Sequence, residues 1–75
     1  MSHYVLGKAH YSADSPEELV KQMHKRSFSP EENDQAFMEK TSDRVNLFFE
    51  IEIRHDTASN FIEDLINYGV LRIEQ

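Results

Sequence analysis

A small α+β domain, with one three-stranded sheet and three helices mainly on one of its faces, is the fold class this chain predicts. Three observations carry it. Two stretches, residues 4–11 and 49–54, follow the two-residue period of a strand. Three others repeat apolar residues at helical spacing behind capping residues. The chain has 75 residues, 39% of them apolar. At this size only about 60% of the unfolded surface can be buried, so residues 1–75 hold a single core and no second lobe.

The first stretch, Tyr4-Val5-Leu6-Gly7-Lys8-Ala9-His10-Tyr11, reads as one strand. Tyr4, Leu6, Lys8 and His10 then lie on one side, with Val5, Gly7, Ala9 and Tyr11 on the other. Gly7 weakens that strand and marks a bulge. Ser15-Pro16-Glu17-Glu18 supplies a hydroxyl cap, a proline suited to the first helical position and a glutamate able to bond back to the cap amide. Leu19, Val20 and Met23 form the apolar side of this first helix, and Lys25 and Arg26 sit at its carbonyl end.

Ser29-Pro30-Glu31-Glu32 repeats the same start, with Phe28 placed before it. The spacing predicts a second helix bearing Phe37, Met38, Thr41, Val45 and Phe48, ending between Asn46 and Phe49, with Asn46 suited to a left-handed cap. Phe49, Ile51 and Ile53 then alternate with Glu50, Glu52 and Arg54, as in a strand with one wet face. On this reading Phe49 faces the helices and Phe49→Ala unfolds the protein, whereas Phe48 stands at the transition, closing the core or forming a contact surface. Asp56 or Thr57 caps a third helix over 57–67, whose apolar stripe is Phe61, Ile62, Leu65 and Ile66. Gly69 stops it, and 70–74 reads as a terminal strand. The expected order is β-α-α-β-α-β.

Fourteen acidic against eight basic side chains give a net charge of −6, which opposes general binding to a nucleic-acid backbone. One local exception is Lys21, Lys25 and Arg26 on the first helix, the patch for an alternative nucleic-acid-binding reading, with Arg44 or Arg72 in support. A further alternative is an acidic inhibitor that occupies a basic groove on another protein. A winged-helix reading fails on charge, because the exposed side of the third helix includes Glu63 and Asp64.

There is no cysteine, hence no disulfide, no thiolate metal site and no thiol nucleophile, and a reducing cytoplasm is the expected compartment. No apolar run spans a bilayer, and Met1-Ser2-His3-Tyr4 lacks the basic flank of a secretory leader. His3 and His10, seven apart on one strand, would point to opposite faces, with His24 on a helix and His55 in a loop, so no metal site is specified. The serines serve caps rather than a nucleophile elbow, and two isolated glycines build no phosphate loop. A non-enzymatic protein without cofactor is therefore expected; His10, Asp14, His24 and His55 are the residues to inspect for a catalytic pocket. What remains is protein–protein association, as a homo-oligomer or accessory subunit, through Leu47 and Phe48 and through Leu71 and Ile73 on the terminal strand.

Overall fold

In the computed structural model, which describes residues 2–27 and 31–74, the first stretch folds back on itself. Strand β1 (Ser2–Leu6) pairs antiparallel with β2 (Ala9–Ala13), and Leu6 lies opposite Ala9 across a two-residue turn, Gly7-Lys8. Gly7 has φ 59 and Lys8 does not share a positive φ, the combination of a type II′ hairpin turn with glycine at its first central position. One continuous strand is thus corrected to a hairpin. Glycine there reverses the chain instead of bulging it.

Reversal changes which residues share a face. Tyr4 lies opposite Tyr11 and Ser2 opposite Ala13, and Tyr4, Tyr11 and Ala13 enter the core. His3, Val5, His10 and Ser12 occupy the other face. The third strand, β3 (Arg72–Glu74), pairs antiparallel with β1, giving the order β2-β1-β3.

Helix α1 (Pro16–Arg26) starts as its sequence predicts: the Ser15 hydroxyl accepts the Glu18 amide at 3.2 Å. Glu18 reaches one residue further back than a capping box requires, accepting the Asp14 amide at 3.2 Å. Helix α2 (Asp34–Phe49) is capped by Asn33, whose side chain accepts the Ala36 amide at 2.8 Å. The helix thus starts four residues later than the expected Pro30, leaving Glu31 and Glu32 ahead of it, because the Asn33 side chain supplies the cap; Phe28, Ser29 and Pro30 themselves lie outside the described residues. Helix α3 (Ala58–Asn67) is capped by Thr57, and Gly69 ends it with φ 78. There the Tyr68 and Gly69 amides close onto the Asp64 and Ile66 carbonyls.

The order is therefore β-β-α-α-α-β within the expected α+β class, and residues 49–54 are not a strand. Helix α2 runs on through Phe49, and Glu50 rather than Asn46 adopts the left-handed cap at φ 57, ψ 36. Side chains, not a ladder, satisfy the backbone beyond it. Asn46 Nδ2 donates to the Ile51 carbonyl at 3.2 Å, Gln35 Nε2 donates to the His55 carbonyl, and the Arg54 amide donates to Asp64 at 2.8 Å. The alternation in the sequence still holds as burial: Ile53 is in the core and Ile51 packs against it, while Glu50, Glu52 and Arg54 are exposed.

The core joins the inner sheet face to Leu19, Val20 and Met23 of α1, Phe37, Met38 and Val45 of α2, and Phe61, Ile62 and Leu65 of α3. Helix α1 contacts β2, α2 and α3, so it is the element around which the other helices assemble. Its docking to α2 has a polar seam. The His24 ring stacks on Phe37 with centroids 4.9 Å apart, and its Nδ1 lies 3.0 Å from Asp34, which also faces Lys21 at 3.7 Å.

Candidate functional site

Where α2 ends, three consecutive large apolar side chains stand in solvent: Leu47 is 76% exposed, Phe48 71% and Phe49 64%. Successive residues turn by about 100°, so Leu47 points away from the buried stripe, whereas Phe48 and Phe49, three and four residues beyond buried Val45, continue that stripe past the edge of the core. Phe49 is thereby corrected from a core residue to a surface one, because continued helix replaced the expected strand. A single exposed leucine is ordinary, whereas three large apolar groups exposed within one turn, fanned around the end of the helix, are not.

Beside this patch lies an open cleft of about 540 Å³ lined by Ser42, Asp43, Asn46, Glu52, Ile53, Arg54, His55 and Asp56. Helix α2 forms one wall and the irregular segment after it forms the other. Ser42, Asn46 and Phe49 recur at 0, 4 and 7, placing Phe49 on the cleft side of the helix, and Leu47 lies one turn beyond Asp43.

Arg54 and Asp64 fix the segment's position. Arg54 Nε and Nη2 donate to the two Asp64 oxygens at 3.0 and 2.8 Å, and Glu63 lies 3.9 Å from Nη2. These donors, with the Arg54 amide, hold the Asp64 carboxyl below the usual carboxylate range and raise the guanidinium's proton affinity in turn. Asp56 is also held low, chiefly by the Asn60 side-chain amide, which donates to both its oxygens at 3.1 and 3.2 Å.

Two buried polar atoms of the cleft have no hydrogen-bond partner among the described residues: Ser42 Oγ and His55 Nδ1. Ser42 is only 4% exposed, and a buried hydroxyl left unpaired costs about 1–3 kcal/mol. No sequence signal marks this, since serine at a mid-helix position carries no distinctive spacing.

The other candidate residues are dispersed. Leu71 is enclosed in the core and leaves the expected interface, because it lies just before β3 and its side chain packs among the core residues. Ile73 remains exposed on β3. Of the basic patch, Lys21 faces Asp34, and Arg26 donates to the His10 carbonyl at 2.8 Å while its guanidinium lies over the Tyr11 ring at 5.2 Å. Lys25 lies with Arg26 along a second, mostly apolar surface hollow with His10, Tyr11, Ser12 and Gln22.

His10, Asp14, His24 and His55 occupy four separate places: the outer sheet face, the β2-to-α1 connection, the α1–α2 seam and the lead into α3. The hairpin also brings His3 and His10 to one face, not to opposite faces, with His3 Nε2 3.0 Å from His10 Nδ1. Among the described residues no three His, Asp or Glu side chains converge as a metal ion would require, and no helix is long and apolar enough to cross a membrane. No protein-family model, curated protein or solved structure matches the chain.

Proposed function

We propose that this domain acts by protein–protein association, as an accessory domain that docks another protein on the end of α2. The observation that carries this reading is the run Leu47-Phe48-Phe49, exposed at 76, 71 and 64% in a domain whose other large apolar side chains are mostly enclosed. Aromatic side chains of this kind are the usual anchors of an interface, because each removes a large apolar area from water at little cost in side-chain entropy. Charge favours a different, basic partner over a second copy, since the chain carries −6 and two copies repel.

An amphipathic peptide alternating leucine and arginine serves as the probe. Binding should shift the amide resonances of residues 47–49, and Phe48→Ser with Phe49→Ser should abolish binding while leaving the urea midpoint unchanged. Resonances of 47–49 that stay fixed with every peptide tried, in a protein that sediments as a monomer at all concentrations, would overturn the reading.

A further inference from the structure

The walls of the cleft beside the patch offer hydrogen-bond acceptors and few uncommitted donors. Asp43, Glu52 and Asp56 contribute carboxylates. Ser42 Oγ is buried and unpartnered among the described residues, so its lone pairs are available to a donor, and its O–H can turn to a neighbouring carboxylate. Of the two basic side chains of the wall, Arg54 has Nε and Nη2 committed to Asp64, and His55 has its Nδ1 buried without a partner among the described residues; the Asn46 amide nitrogen donates to the Ile51 carbonyl. Helix α2 ends alongside with no basic residue in its last turn, so its terminal carbonyls add negative potential. The carboxylates surround a volume and do not meet at a point, which suits an extended organic cation better than a metal ion.

We propose that the cleft receives the guanidinium or ammonium group of a partner protein's basic segment, whose neighbouring apolar residues pack on Leu47 and Phe49. This rests on the association reading and names its chemistry. The cation enters between Asp43 on α2 and Glu52 on the opposite wall, with the buried Ser42 hydroxyl accepting one of its N–H groups. Apolar neighbours one or two residues away on the segment then meet Phe49, one turn beyond Asn46, and Leu47, one turn beyond Asp43.

The test compares three capped peptides on the intact protein: one alternating leucine and arginine, one with citrulline for arginine, and one with serine for leucine. Citrulline keeps the shape and removes the charge. The arginine peptide should shift the amides of Ser42, Asn46, Glu52 and His55 together with those of 47–49. It should bind about tenfold more weakly to the Asp43→Asn/Glu52→Gln protein and to Ser42→Ala. Asp43 and Glu52 are exposed, Ser42→Ala removes only a hydroxyl unpartnered among the described residues, and a urea melt of each variant confirms folding. Equal binding of the arginine and citrulline peptides, or shifts confined to 47–49, overturns the cation site and leaves association standing. Binding of the serine peptide as tight as the leucine peptide, with shifts in the cleft alone, retains the cation site and removes the apolar surface. No binding of the arginine peptide overturns the proposal, as does concentration-dependent dimerisation abolished by Asp43→Asn/Glu52→Gln, which would make a second copy the occupant.

Discussion

Phe49 and Phe61 are the same residue type in opposite surroundings. Phe61 has no exposed surface, and Phe61→Ala removes buried atoms and leaves a cavity, a loss of about 3–5 kcal/mol that a domain of this size can hardly sustain. Phe49→Ala, at a side chain two-thirds in water, should change the unfolding free energy read from a urea melt by less than about 0.5 kcal/mol. Comparing the two melts separates core from surface. Asp64 makes a prediction in pH. Its carboxyl is held below the unfolded value of about 3.9 by the Arg54 side chain and amide, so the pair's contribution is complete above that value and is lost as pH falls through the lower folded one. The urea midpoint should hold between about pH 7 and 5 and decline below about pH 4. Asp64→Asn should start lower and show a shallower acid decline; an unchanged slope would show that other carboxylates dominate.

Three elements, β1, α2 and α3, end where a residue accepts a left-handed backbone. At Gly7 this makes the hairpin and at Gly69 it stops α3, and both positions suit the residue. Glu50 does not suit it: its φ of 57 places a side chain in the region that costs non-glycine residues about 1–2 kcal/mol. Glu50→Gly should therefore stabilise the domain by about 1 kcal/mol, net of glycine's greater freedom when unfolded, without altering binding at Phe48 and Phe49. Gly7→Ala should do the reverse. Open space surrounds a Cβ built at Gly7, so its cost is conformational alone and a D-alanine introduced by chemical synthesis should recover it. A loss shared by both alanine enantiomers would refute the turn assignment.

Across the whole molecule, the chain must close on itself before the sheet is complete, since β3 pairs with β1 at the opposite end of the sequence. Leu71 anchors that closure from within the core, and the Val70 and Leu71 amides both donate to the Leu65 carbonyl just before β3 begins. Leu71→Ala should cost about 2–5 kcal/mol and leave peptide affinity at the α2 end unchanged once the protein is folded. Hydrogen exchange adds a second readout: β1, paired on both sides, should exchange more slowly than β2 or β3, and Leu71→Ala should release β3 first. A variant that folds normally but no longer binds would return Leu71 to the interface.

Local chemistry was legible in the residues themselves. Ser15-Pro16 and Thr57 announce their helices, Gly69 its stop, and the stripes of Leu19, Val20, Met23 and of Phe61, Ile62, Leu65 their buried sides, because caps, left-handed stops and helical periodicity act within a few residues. The three-stranded α+β class followed from the same signals, and so did the outward Glu50, Glu52 and Arg54. Which segment would supply the third strand was decided elsewhere. Gly7 is equally compatible with a bulge and a turn, and only when β2 takes one edge of β1 and β3 the other does residue 49–54 lose any place in the sheet. The side chains of Gln35, Asn46 and Asp64, twenty, five and ten positions from the groups they bind, then hold that segment instead, an arrangement no alternation of apolar and polar residues encodes. The cleft and the exposed end of α2 are consequences of that tertiary choice. They exist because burial is a property of what the assembled elements cover, and the sequence alone does not say what will cover Phe49 or enclose Ser42.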